Sequence, residues 1–153
     1  MDVKIWTLDP AKIAYVEHEG PYEEVYKAWE SLCAWAGPSR IFSEKTKFYG
    51  VYYDDPAETA PEKLHSEACI TIESETSGPA EIKFKDFAGG KYAVYTHLGP
   101  YDELVTSWTR FYSEWLPQSG MKLADTPCLE QYMNDPKSTK PEHLVTLLLM
   151  PLK

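Results

Sequence analysis

Residues 18–24 read HEGPYEE and residues 97–103 read HLGPYDE, and this near-repetition limits the possible folds more than any other feature of the chain. A shift of 79 residues lays Lys12 on Lys91, Ala14 on Ala93, His18 on His97, Gly20-Pro21-Tyr22 on Gly99-Pro100-Tyr101, Glu24 on Glu103 and Trp29 on Trp108. Eight of the eighteen positions from 12 to 29 are identical, where unrelated sequence gives roughly one, so the chain carries an internal repeat. A shift of 80 then lays YYDDPAETAPEKL (52–64) over YMNDPKSTKPEHL (132–144) with seven of thirteen positions identical. A length of 153 residues suits one ordinary domain. The expectation is a single domain over 1–153 made of two copies, 3–76 and 82–153.

Each copy has the same order of patterns. VKIWT and KIAYVEH, separated by LDPA, and IKFKDF and KYAVYTH, around AGG, alternate like strands and read as hairpins. A helix follows each, with apolar residues at helical spacing: Tyr22, Val25, Tyr26, Trp29, Leu32, Cys33 and Ala36 in the first, Tyr101, Leu104, Val105, Trp108, Phe111, Tyr112 and Trp115 in the second. AGP (36–38) and LPQSG (116–120) are expected to stop them. Two further strand-like runs close each copy, KFYGVYY and EACITIE, then PCLEQYM and LVTLLLM. The predicted class is α+β: duplicated strand-helix-strand-strand units with pseudo-twofold symmetry, antiparallel sheets, two main amphipathic helices and a central ligand cleft.

Composition narrows the function. Acidic residues outnumber basic ones 24 to 15, for a formal charge of −9, with no basic cluster. Affinity for nucleic acid comes from Lys and Arg displacing counterions, so direct binding to it is disfavoured. A cationic small molecule is favoured instead. No run approaches the ~18 apolar residues of a membrane helix, and the start lacks the basic flank of a secretory signal, which points to a cytoplasmic protein without membrane contact. Cys33, Cys69 and Cys128 have neither disulfide-framework nor zinc spacing and read as buried thiols. No cofactor or metal is implied.

Residues that the fold needs should recur in both copies, whereas a single site need not. His18 and His97 recur at the same joint and are read as structural, with acid/base work as the lesser alternative. The Gly-Pro-Tyr joint has a mechanical account in a turn and a helix start, and DDP and NDP read as turns, a metal site at Asp54 and Asp55 being a minor possibility. The copies differ at Glu130, whose counterpart is Gly50, while Tyr132 is matched by Tyr52. Alternation puts Cys128, Glu130 and Tyr132 on one face of a strand. An interior carboxylate needs a partner, either a basic residue of the chain or a ligand. Five Trp and eleven Tyr supply rings. The candidate ligand-binding set is Glu130, Tyr132, Tyr52, Trp29, Trp108 and Tyr112, an aromatic surface with one carboxylate that suits flat or cationic organic molecules.

HEGPYEEVYKAWESL, GVYYDDP, GGKYAVYTHLGPYDEL and PCLEQYMNDP together resemble the GyrI-like (gyrase-inhibitor-like) small-molecule-binding proteins, related to the effector-binding domains of multidrug-sensing transcription regulators. The resemblance implies a cleft for hydrophobic, often cationic drugs with a buried glutamate at the position of Glu130. It also implies an alternative, a hydrolase that opens cyclopropane-bearing DNA-alkylating toxins, with Glu130 activating water and Tyr132 donating to the developing oxyanion. A further alternative is a protein-interaction module acting on DNA gyrase or a regulator. Haem binding, another function found on this architecture, would require an axial His, and the two joint histidines are better explained by the fold.

Overall fold

The computed structural model describes residues 1–74 and 76–153. Eight strands form, β1 Val3–Leu8, β2 Ala11–Glu19, β3 Phe48–Tyr52, β4 His65–Ile72, β5 Lys83–Phe87, β6 Gly90–Leu98, β7 Cys128–Tyr132 and β8 Val145–Pro151. The helices are α1 Tyr26–Ala36, α2 Leu104–Arg110 and α3 Leu116–Ser119, with a π-helical turn at Phe111–Trp115 between the last two. The chain divides into two compact units, one made of Met1–Leu8 and Gly90–Lys153, the other of Asp9–Gly89.

Each unit holds a four-stranded antiparallel sheet, in the order β5-β2-β4-β3 in one and β1-β6-β8-β7 in the other. The two registers are the same register displaced along the chain. Tyr49 lies opposite Cys69 as Leu129 lies opposite Leu149, and Ala14 opposite Ile70 as Ala93 opposite Met150. The expected α+β architecture of duplicated strand-helix-strand-strand units is the one observed.

The expected hairpins do not form. β1 pairs along β6, from Val3↔Tyr95 to Leu8↔Gly90, and β5 pairs along β2, from Ala11↔Phe87 to Tyr15↔Lys83. The first strand of each sequence half is thus exchanged into the sheet of the other. Alternation specifies which face of a strand is buried but not which neighbour it takes. Because the halves are homologous, β1 fits beside β6 as β5 fits beside β2, and local pattern does not separate the two arrangements.

The helix of each unit covers one sheet face. Ala28, Leu32 and Ala36 of α1 pack with Ala14, Val16, Ala68, Ile70 and Ile72, while Leu104 and Phe111 pack with Ala93, Leu148, Met150 and Leu152. The apolar stripes are narrower than their spacing predicts: Tyr26 is 53% and Val105 69% exposed. Cys33 is also exposed, next to buried Leu32 but turned off the sheet, and Cys128 is half-buried; only Cys69 is the buried thiol expected of all three. Both helices begin with a 3-10 turn, at Tyr22–Glu24 and Tyr101–Glu103. Pro117 does not stop the second helix. The N–H of Leu116 bonds back to the Phe111 carbonyl across the π turn, and Pro117 then falls in the first turn of α3, where its missing N–H is tolerated. Gly120, left-handed at φ 71°, ends the helix instead. Among the described residues no helix is long and apolar enough to cross a membrane.

Phe111 is the largest fully buried side chain, with ring centroids of Trp115, Trp108 and Tyr95 at 5.4, 5.8 and 6.2 Å. Phe111→Ala should lower unfolding free energy by about 3–5 kcal/mol, measured by chemical denaturation.

Candidate functional site

Both strand-to-helix joints are built alike, and they determine which side chains of the helix reach the sheet. Gly20 and Gly99 have φ of 136° and 130°, a conformation that side-chain-bearing residues rarely adopt, and their N–H groups bond to the carbonyls of Leu64 and Leu144. The ring of His18 donates through Nε2 to the Pro21 carbonyl at 3.0 Å, and that of His97 to the Pro100 carbonyl at 3.2 Å. These histidines hold the turn in each copy, as their recurrence implies. The DDP and NDP segments are turns as well: Asp54 accepts from the His65 N–H at 2.6 Å and Asn134 from the Val145 N–H at 3.0 Å. Asp55 and Asp135 accept from the N–H two residues on, at 2.9 and 2.8 Å.

From its joint, the second helix carries Trp108 over β7. Glu130 is only 7% exposed, and both of its oxygens are held: Trp108 Nε1–H donates to Oε2 at 2.8 Å, and Tyr132 O–H donates to Oε1 at 2.8 Å. Tyr132 and Glu130 are two apart on β7 and so share a face. Rings continue outward from this carboxylate. Tyr101 lies 5.6 Å from Tyr132, and Tyr112 lies 5.9 Å from Trp108. Burial, with the charge of Glu130 as a lesser cause, holds the Tyr101 hydroxyl above the ordinary phenol range. Tyr112 is 41% exposed, and its hydroxyl meets Cys128 Sγ at 2.8 Å. Burial raises the Cys128 thiol, partly opposed by this hydrogen bond. The π turn begins at Phe111, beside Tyr112; such turns recur at functional sites because they re-aim helical side chains.

Four of the six expected residues, Glu130, Tyr132, Trp108 and Tyr112, therefore come together in one unit. Tyr52 and Trp29 occupy the equivalent positions of the other unit. Tyr52 packs edge-on to Tyr22 at 4.9 Å, repeating the Tyr101–Tyr132 pair, and Trp29 packs with Phe48 at 6.3 Å. Gly50 stands there in the place of Glu130, opposite Ala68 as Glu130 stands opposite Leu148. Tyr101 belongs with the first group and was hidden by its repetition: it matches Tyr22, and what distinguishes it is Glu130, where the other unit has Gly50.

The Asp9–Gly89 unit has a polar cluster of its own. Glu67, 7% exposed, forms an ion pair with Lys85 of the exchanged strand β5, and Lys85 lies over the Tyr15 ring at 4.2 Å and within 3.5 Å of the Tyr53 hydroxyl. The corresponding residues of the other unit are Leu147 and Trp6. The comparison that separates Glu130 from Gly50 therefore also separates Glu67 from Leu147. Here the carboxylate has a lysine of its own, whereas the donors shown on Glu130 are neutral. Burial and then the Glu67 charge push the Tyr53 hydroxyl up to about 12. A proton held more tightly in the folded protein stabilises it below the unfolded pKa, and that contribution is lost as pH rises through the folded value. Absorbance titration of the tyrosines should show a step near pH 12 that Tyr53→Phe removes, and this variant should lose less stability than the parent between pH 10 and 12.

Among the described residues no group of three or more His, Cys, Asp or Glu side chains is arranged to hold a metal. A family model described as GyrI-like small molecule binding domain matches residues 1–153. The DNA gyrase inhibitor of Enterobacter lignolyticus is 31% identical over 120 residues, covering 76% of this chain and 75% of the relative. Among solved structures, EcmrR in complex with DNA superposes with a TM-score of 0.81 at 16% identity; it covers 99% of this chain, which spans 57% of that longer one. A hydrolase from Listeria innocua gives 0.72 at 16% identity, over 99% of this chain and 91% of its own. SAV2435 bound to tetraphenylphosphonium gives 0.66 at 15% identity, over 100% and 94%.

Proposed function

Because the chain belongs to the GyrI-like small molecule binding domain family, we propose that it binds hydrophobic aromatic cations, with Glu130 as counter-charge and Trp108, Tyr101, Tyr112 and Tyr132 as the aromatic contacts. The observation that carries this reading is the state of Glu130, a carboxylate 7% exposed whose two oxygens accept from Trp108 and Tyr132. The two donors hold both carboxylate oxygens and fix their orientation. A carboxylate held in a fixed orientation beside aromatic rings attracts a cationic ligand. Aromatic faces add attraction for a delocalised cation without requiring a specific hydrogen-bond pattern, which suits a binder of several related molecules. The formal charge of −9 also attracts cations to the protein. SAV2435, which shares the fold, has been captured with such a cation.

The likeness to a hydrolase supports a second reading, in which the same carboxylate orients water towards a strained, cyclopropane-bearing electrophile while Tyr132 donates to the oxyanion that develops as the ring opens. Both Glu130 oxygens already accept hydrogen bonds from the protein, which favours the binding role over activation of water. The name of the Enterobacter relative supports a third, an action on DNA gyrase, which a supercoiling assay with purified gyrase tests directly.

Titration with tetraphenylphosphonium, followed by tryptophan fluorescence and calorimetry, tests the first reading. Glu130→Gln keeps the shape and removes the charge, and it should weaken binding at least tenfold; Trp108→Phe, which keeps a ring but loses the donor, should weaken it less. Unchanged affinity in Glu130→Gln sinks the proposal. Turnover of a cyclopropane-bearing alkylator that disappears in Glu130→Gln would favour the hydrolase.

A further inference from the structure

His97 does more than hold its joint. It is 5% exposed, and while Nε2 faces the Pro100 carbonyl at 3.2 Å, Nδ1 lies 2.7 Å from Ser107 Oγ on α2. A carbonyl can only accept, so the ring hydrogen sits on Nε2, and the neutral ring presents the Nδ1 lone pair to the serine, whose O–H donates to it. The arrangement is a hydroxyl, an imidazole that can take its proton, and an oxygen behind the imidazole that fixes its tautomer and steadies the cation formed.

This dyad faces an open groove of about 480 Å³ between the end of β6 and α2, lined by Thr96, His97, Leu98, Glu103, Ser107 and Arg110 among others. β1 begins at Val3 opposite Tyr95, so the last three residues of β6 extend past it, and Leu98 is 70% exposed. Comparison of the copies again separates need from addition. His18 makes the same bond to its proline carbonyl at 3.0 Å, but the position matching Ser107 is Ala28, which is 4% exposed in the core. The joint requires the histidine and the carbonyl, and the same helix position elsewhere in the chain is filled by alanine.

We propose that Ser107 and His97 form a second site, separate in its residues from the Glu130 site, that transfers the acyl group of small uncharged carboxylic esters. Ser107 Oγ attacks the ester carbonyl carbon as its proton passes to His97 Nδ1. The carbon–alkoxide bond then breaks, and the departing alcohol takes that proton, leaving an ester on Ser107. Water repeats the sequence: His97 Nδ1 accepts its proton, the carboxylic acid is released, and the proton returns to Oγ. No reactant besides ester and water is consumed. Arg110, whose Nε donates to Glu114 at 3.1 Å, is the cation of the groove, and its charge favours the oxyanion formed at each step.

A fluorophosphonate probe, which reacts with activated serines, tests the site on the full chain by intact mass and peptide mapping, with p-nitrophenyl acetate hydrolysis as the kinetic readout. The expected result is one adduct, on Ser107, and an ester hydrolysis rate reduced at least tenfold in Ser107→Ala. That variant copies Ala28 and should keep the native circular dichroism and melting temperature. His97→Asn should also lose labelling, and Ser113→Ala, which removes an exposed serine further along the same helix, should keep it. Labelling of the folded protein no faster than of Ser107→Ala, or adducts confined to tyrosines, would overturn the proposal and leave Ser107 as the partner that satisfies a buried imidazole.

Discussion

The hydrogen bond from a histidine ring to the proline carbonyl three residues on, made at 3.0 Å in one unit and 3.2 Å in the other, is the contact on which most of the structure rests. It closes a turn in which glycine takes a conformation that other residues rarely adopt and its N–H reaches the residue just before β4 in one unit and β8 in the other. This settles the direction in which each helix leaves its sheet. The helix direction places Trp108 over β7, and Trp108 places a donor on Glu130. A loosened joint would leave the core residues their volume but would cost the site its alignment, because a hydrogen bond weakens steeply within a fraction of an ångström and a few tens of degrees.

Much of this was legible in the sequence because duplication is itself a measurement. Where both halves carry a residue, the fold accounts for it; where they differ, something else must. That reasoning identified Glu130 against Gly50 and set His18 and His97 aside as joint residues, and the registers of the two sheets show why it works: the pairs match residue for residue. It reaches less far where both copies carry the same residue for different ends. Tyr101 and Tyr22 are indistinguishable in sequence, yet the carboxylates near them differ: Asp54 and Asp55 of a turn beside Tyr22, Glu130 of β7 and Asp135 beside Tyr101. Glu67 and Lys85 were equally visible as differences, but their meeting depends on the strand exchange, which no local pattern reveals.

The two buried glutamates illustrate how surroundings divide similar groups into different roles. Glu67 is neutralised by a lysine that the protein supplies, and its neighbours, including the thiol of Cys69, keep their protons. Glu130 is oriented by an indole and a phenol, each donating to one of its oxygens. Burying an ion costs several kcal/mol unless a partner compensates.

The strand exchange also governs the order in which the molecule can be completed during synthesis. Residues 9–89 contain all four strands of one sheet, so that unit has every partner it needs once Phe87 has emerged. β1 is made before any of them, yet its partner is β6, and Val3 must wait for Tyr95. Closing so long a loop adds entropy only slowly with length, but it makes the pairing non-local and late. Until Tyr95 has been made, β1 stays an unpaired edge whose backbone is open to other contacts.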